Sequence, residues 1–129
     1  MIRRISYLVL LALLVSACAS SGRSRSLGAR NLITRAEIES VNVSTAYEVV
    51  QQLRPHFLSP RGQTSIQDPS SSLPVVYVNG VRYGTPDVLR SLRSMDVQEM
   101  RFLSASDATT RYGTGHVGGV IEVTTRGQS

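Results

Sequence analysis

The stretch from Pro74 to Gly84, PVVYVNGVRYG, is the strongest constraint on the fold of this chain. Asn79 and Gly80 separate two runs rich in β-branched and aromatic residues, and this dipeptide favours a two-residue type I′ turn. Such a turn requires the flanking runs to pair as neighbouring antiparallel strands. The middle of the chain therefore predicts a β-hairpin that turns at Asn79 and Gly80.

Two helix starts precede the hairpin. Thr34 with Glu37, and Thr45 with Glu48, have the spacing of capping boxes, in which a hydroxyl and a carboxylate satisfy free backbone N–H groups. The second box opens an amphipathic pattern that runs to Pro55. Its apolar face consists of Ala46, Val49, Val50 and Leu53.

Two more strands and a short helix follow the hairpin. Residues 97–103, VQEMRFL, alternate in character and predict a strand, and Val120 to Thr125 form a β-branched run. Thr85 and Pro86 start a short helix between the hairpin and the first of these strands. Residues 59–73 are polar and rich in Pro and Ser, which predicts a mobile loop. Together, these elements predict an α+β domain with a mixed sheet of about four strands and two or three short helices.

The charge of the chain is concentrated before the domain. The whole chain carries +5, but from Asn31 onward nine Arg are balanced by nine Asp and Glu. A nucleic-acid binder would place basic charge on its folded surface. We therefore expect no nucleic-acid partner.

The first 17 residues have a basic start, an apolar run and then small residues, which is the layout of a secretory signal peptide. The segment VSAC that ends at Cys18 resembles the lipobox of bacterial lipoproteins, in which the cysteine carries the lipid. Cys18 is the only cysteine of the chain, so it has no partner for an intramolecular disulfide. The alternative is an ordinary signal peptide followed by an unmodified thiol.

The lipobox resemblance implies an anchor in the outer membrane, because Ala19 is not the Asp that would retain the lipoprotein elsewhere. Residues 19–30 are mostly Ser, Gly and Arg, a composition typical of a flexible tether. The chain is thus divided into a signal peptide at 1–17, the lipidated cysteine with its tether at 18–30, and a domain at 31–129.

Gly113, Gly115 and Gly118 have the spacing G-x-G-x-x-G of a dinucleotide-binding loop. That motif requires a helix to follow the glycines. A strand-type run follows them here, so we interpret them as turn glycines. His116 lies among them, and with no second His, Cys or carboxylate cluster beside it we expect an exposed loop histidine rather than a metal ligand.

Several of these segments, in this order, resemble the plug domain of TonB-dependent outer-membrane receptors. The resemblance runs from Leu32 to Arg126 and is strongest in DVQEMRFLSASDATTRYGTGHVGGVIEVTTR. It implies a small plug-like fold, here without the receptor's barrel. It also makes Asn31 to Thr34, NLIT, a candidate for the segment by which receptors engage the energising protein.

The plug resemblance implies a role in envelope transport. We expect a non-catalytic interaction module at the outer membrane, facing the periplasm, that docks on a barrel or a periplasmic protein, for example by strand addition at a sheet edge. The alternative is a periplasmic protein that binds a small ligand such as a metal chelate. A third possibility is a decayed receptor fragment that has no function. The candidate ligand or partner loop comprises Arg111, Tyr112, Gly113, Gly115, His116, Gly118 and Gly119.

Catalytic motifs give no support for an enzyme. The chain contains neither G-x-S-x-G nor H-E-x-x-H, and no His is paired with carboxylates in sequence. We therefore expect no enzymatic activity, no cofactor and no metal.

Overall fold

A computed structural model describes residues 28–62 and 72–127 of the chain. The strands are β1 (Leu32–Ile33), β2 (Val75–Val78), β3 (Val81–Gly84), β4 (Val97–Leu103) and β5 (Val120–Thr125). The α-helices are α1 (Arg35–Ser40), α2 (Ala46–Leu53) and α3 (Ala105–Tyr112). Three 3₁₀ helices cover Pro55–Leu58, Pro86–Arg90 and Ser94–Asp96.

The five strands form one mixed sheet in the order β1-β4-β5-β2-β3. β5 pairs in parallel with β2, and the other neighbours are antiparallel. The predicted α+β class and mixed sheet are confirmed. The sheet has one strand more than predicted, because Leu32 and Ile33 pair with Arg101 and Met100 of β4.

Most of the local signals in the sequence between Thr34 and Thr85 are confirmed by the structure. Both capping boxes form, with the Thr34 and Thr45 hydroxyls accepting from the N–H groups of Glu37 and Glu48. The hairpin turns at Asn79 and Gly80, whose φ angles are 50° and 81°, as a type I′ turn requires. The short helix predicted after Thr85 is a 3₁₀ helix that has no side-chain cap.

The main core lies on one face of the sheet. β2, β4 and β5 direct alternate apolar side chains toward α2 and the 3₁₀ helix Pro55–Leu58, where Phe57 is fully buried. β4 has a bulge between Val97 and Glu99, which lets both Val97 and Met100 face the core despite the odd spacing. Each fully buried side chain of this size stabilises the fold by about 1.5–3 kcal/mol, so this face carries most of the stability.

The opposite face of the sheet is covered in part by α3. A smaller cluster there consists of Tyr77, Ala108 and Val120, with Leu103 and Tyr112 packed against it. The sequence analysis predicted no helix directly after residues 97–103, so α3 is an addition to it. The sequence SASDATTRY has little apolar content, and Ala108 is the one residue of this helix that is buried.

The N-terminal end of the described region is held by Arg54, which directly follows α2. Its guanidinium donates hydrogen bonds to the carbonyl oxygens of Ala29, Arg30 and Leu32, at 3.2–3.4 Å. The same group lies 2.7 Å from the Glu37 carboxylate. We call this arrangement the Arg54 clamp, and it joins the chain before β1 to both N-terminal helices.

The predicted N-terminal divisions lie largely outside the described residues. These are the signal peptide at 1–17, Cys18, and the tether as far as residue 27. Gly28, Ala29 and Arg30, the end of the predicted tether, are exposed and helical. The segment NLIT is built into the domain, because Ile33 is fully buried in β1 and Thr34 caps α1.

Glu37→Gln should make the domain less sensitive to acid. Burial raises the pKa of Glu37, but the Thr34 N–H and the Arg54 guanidinium outweigh that effect and hold it below the ordinary 4.5. A carboxylate with a lowered pKa stabilises the folded state above the ordinary value, and this contribution is lost as the pH falls through the folded-state value. Melting temperatures from about pH 6 to about pH 3 should therefore fall further for the wild type than for the variant. Parallel curves would contradict this role of Glu37.

Candidate functional site

The candidate loop joins α3 to β5, and its first two residues belong to the helix. Arg111 and Tyr112 form the last turn of α3, which ends at Gly113 with a φ of 86°. Ser104 caps the start of the helix by accepting from the Asp107 N–H. The predicted loop 111–119 is therefore corrected to a loop from Gly113 to Gly119.

His116 is buried, with 7% of its surface exposed, which corrects the prediction of an exposed histidine. Its Nδ1 lies 2.9 Å from the Gly113 carbonyl oxygen, and its Nε2 lies 3.0 Å from the Tyr77 hydroxyl. A carbonyl can only accept, so Nδ1 carries a proton, and in the neutral ring Nε2 then accepts from the Tyr77 hydroxyl. Nε2 thus joins the loop to β2, and Nδ1 joins His116 to the start of its own loop.

An aromatic stack covers this histidine. The ring centres of Tyr77 and Tyr112 lie 3.9 Å apart with the rings nearly parallel, and the tilted His116 ring has its centre 5.8 Å and 6.1 Å from theirs. The Tyr112 hydroxyl donates to Glu122 of β5, whose carboxylate also lies 2.9 Å from the Arg111 guanidinium. Every polar group of this cluster therefore has a partner inside the domain.

The polar groups of this cluster are used in contacts within the domain. The His116 Nε2 atom lies 3.0 Å from the Tyr77 hydroxyl, so this ring nitrogen already has a hydrogen-bond partner. Within residues 28–62 and 72–127, no three His, Cys, Asp or Glu side chains come together as metal ligands would. The structure brings the predicted site residues around His116 together. Their polar side chains bond groups of the domain itself.

The glycines of the loop have two separate uses. Gly113, Gly115 and Gly119 have φ angles of 86°, 95° and 86°, in the left-handed region that favours glycine. Gly118 instead allows a close backbone approach, because a Cβ there would overlap the carbonyl groups of Ser72 and Leu73. The positive φ angles are those of turn glycines, and the close approach at Gly118 is a second role.

The loop also contacts the described ends of the 59–73 insertion. Gly62 lies directly under the Val117 side chain, and the Arg61 N–H donates to the Ser72 carbonyl at 2.7 Å. The Arg61 guanidinium lies 4.1 Å from the centre of the Phe102 ring. Both ends of the insertion are thus attached to the domain, and residues 63–71 of the predicted mobile loop lie outside the described residues.

One cavity of about 270 Å³ lies beside β1. Its lining residues are Gly28, Asn31, Leu32, Arg101 and Phe102. Pockets for drug-sized ligands have volumes of about 300 to about 1,000 Å³, so this one is small. None of the candidate loop residues lines it.

The most exposed apolar surface of a strand lies on β3, at one edge of the sheet. Val81 is 61% exposed and Tyr83 is 56% exposed, with Arg82 exposed between them. The hairpin is fixed to β5 because the Asn79 side chain bonds both the N–H and the hydroxyl of Thr125. The sequence predicted this strand and its turn, but it did not predict that the strand lies at an edge.

Membrane attachment is not visible in the described region. No helix within 28–62 or 72–127 is both long enough and apolar enough to cross a bilayer. Cys18, the predicted lipidation site, lies outside these ranges.

Tyr112→Phe should remove an alkaline transition of the protein. Burial raises the pKa of Tyr112, and the hydrogen bond to Glu122 with its negative charge raises it further, to about 12. Stability from this neutral hydroxyl is complete below the ordinary pKa of about 10 and is lost as the pH rises through the folded value. Stability from about pH 10 to about pH 12 should fall more steeply in the wild type than in the variant.

Urea unfolding and tyrosinate absorbance at each pH would measure this difference. Tyr83→Phe is the matched control, because it removes an exposed hydroxyl that does not contact Glu122. If Tyr112→Phe and Tyr83→Phe gave the same alkaline curve, the Tyr112–Glu122 bond would not be the cause.

Gly118→Ala should destabilise the domain far more than Gly115→Ala. The Gly118 variant forces a methyl group into backbone atoms that cannot move aside, for a cost of about 3 kcal/mol. The Gly115 variant meets no atom within 4 Å, so only its positive φ opposes it, at about 1 kcal/mol. Urea unfolding of both variants checks the order, and equal losses would show that the close approach is absent in solution.

Comparison with protein-family models, with curated proteins and with solved structures gives no match to this chain. The likeness to receptor plug domains therefore stays a prediction that depends on the quoted residues. Two features of the fold bear on function: the edge strand β3, and the loop from Gly113 to Gly119 that His116 joins to β2.

Proposed function

We propose that this chain is an outer-membrane lipoprotein whose plug-like domain is a non-catalytic interaction module in envelope transport. Cys18 carries the lipid anchor, and the domain faces the periplasm. A barrel or a periplasmic protein docks on it through the free edge of β3. The anchor and the plug-like character come from the sequence, and the docking edge comes from the fold.

The exposed edge of β3 is the observation that carries this proposal. An edge strand directs alternate backbone N–H and C=O groups away from its one neighbour, and these groups can pair with an added strand. β3 is the outermost strand, and Val81 and Tyr83 beside its backbone are more than half exposed. Backbone pairing with side-chain contacts on the same strand is how domains bind extended segments.

The small-ligand alternative has weaker support from the geometry. The two side chains of the candidate loop best suited to a ligand, His116 and Tyr112, are hydrogen-bonded within the domain. A ligand would have to break these bonds before it gained its own. A partner that pairs with β3 breaks no bond of the described domain.

Replacing both Val81 and Tyr83 by lysine should strongly reduce the amount of partner protein that is recovered from intact cells. Charged side chains on an edge strand block strand addition, because the added strand would bury them. The full chain is tagged at its C-terminus, cells are crosslinked, and proteins that co-purify from solubilised outer membranes are identified. We expect one specific envelope protein with the wild type, and a loss of about tenfold or more in its recovery with Val81→Lys/Tyr83→Lys.

Two controls make this result specific. Met95→Lys/Val117→Lys places the same charges at residues that are 58% and 53% exposed but lie outside β3, and it should retain the partner. The Cys18→Ser protein, which lacks the proposed lipidation site, should no longer be found in the outer-membrane fraction. Equal recovery with both lysine pairs would place the docking surface elsewhere, and no co-purifying protein with the wild type would argue against an interaction module.

A further inference from the structure

The arginine at the centre of β3 has no ionic partner in the described part of the chain. Arg82 makes no ion pair, side-chain hydrogen bond or ring contact there, and it is exposed. Other surface arginines are paired, for example Arg93 at 2.9 Å from Asp96 and Arg111 at 2.9 Å from Glu122, whereas Arg30 and Arg126 are exposed without an ion pair in the described region but lie outside β3. An uncompensated cation therefore lies in the middle of the proposed docking strand.

A strand that adds to β3 would place one of its own side chains directly opposite Arg82. Cross-strand neighbours lie about 4.5–5.5 Å apart at Cβ, within reach of an ion pair, and opposite charges stabilise such a pair while like charges destabilise it. An acidic residue is thus favoured at that position. Val81 and Tyr83, on either side of Arg82, favour apolar residues at the positions next to the acid.

We infer that the partner of β3 is an extended segment of another protein in which an Asp or Glu is flanked by apolar residues. This inference rests on the proposed docking at β3 and specifies the chemistry of the segment that docks. The acid pairs with Arg82, the flanking apolar residues cover Val81 and Tyr83, and backbone hydrogen bonds join the two strands.

The β3 strand of a second copy of this chain fits the same edge poorly. The sequence of β3 is Val-Arg-Tyr-Gly, so a copied strand offers no carboxylate to Arg82 in any register. Antiparallel pairing centred on Arg82, or parallel pairing in register, would place two guanidinium groups opposite each other. The charge pattern thus selects a different, acidic strand.

The test uses photo-crosslinking from the edge itself in the full chain. p-Benzoylphenylalanine is introduced at Val81 or at Tyr83, intact cells are irradiated, and the joined peptides are mapped by mass spectrometry. We expect one partner segment with an Asp or Glu within about two residues of the attachment point, as antiparallel or parallel pairing requires. A probe at Met95, which is equally exposed, measures the background.

Charge reversal then tests the ion pair. Arg82→Glu should reduce the crosslink yield about tenfold, because an attractive cross-strand pair becomes a repulsive one. Changing the mapped acid of the partner to Arg should restore the yield in the Arg82→Glu cells. Arg30→Glu makes the same change of charge beside β1, at the opposite edge of the sheet, and should leave the yield unchanged.

The outcomes separate this inference from the proposed function. Crosslinks from β3 that do not exceed the Met95 background would overturn docking at β3, and the inference with it. Crosslinks to a second copy of the chain, to a segment without an acid, or with a yield that Arg82→Glu does not change would overturn the inference alone. An unchanged melting temperature of Arg82→Glu shows that a lost crosslink is not lost folding.

Discussion

The parallel pairing of β2 with β5 is the constraint on which the rest of the structure depends. It joins the hairpin in the middle of the chain to the last strand, and it places β5 between β4 and β2. From that position Ile121 and Val123 enter the main core, while Val120 and Glu122 face α3. Removing this one contact would leave a three-stranded unit, β1-β4-β5, and a separate β2–β3 hairpin, which as an isolated two-stranded ribbon is at best marginally stable in water.

The same pairing explains why the loop before β5 is closed. The Val75 N–H donates to the Gly119 carbonyl at 3.0 Å, so the loop ends directly over the start of β2. His116 is thereby brought within hydrogen-bond distance of Tyr77, although the two are 39 residues apart in the chain. The closed loop and the free edge are two results of one strand order, because no described strand lies on the other side of β3.

Features with a local physical cause could be predicted from the sequence. A capping box needs two residues three positions apart, and a type I′ turn needs Asn79 and Gly80 alone, so both were correct. The class of the fold followed from these signals, although the two-residue β1 was too short to leave a pattern. Val97 and Met100 share a face only because of a bulge, which gives a strand the appearance of irregular alternation.

Features with a distant cause could not be predicted. α3 has a Ser104 cap but almost no apolar face, and its position over the sheet depends on the stacking of Tyr112 on Tyr77. His116 was expected to be exposed because the partner that buries it lies in another strand. The sequence named most members of this cluster as a candidate loop, but it did not show that they bind one another.

The Arg54 clamp has a mechanical consequence for a domain held at one end. Force applied along the chain before Gly28 would reach the sheet through β1, which contributes only two residues to it. The clamp lies ahead of β1, and its bonds to Ala29 and Arg30 pass the force to the end of α2 instead. A pull from a membrane would therefore load a helix and an ion pair before it could peel the sheet open strand by strand.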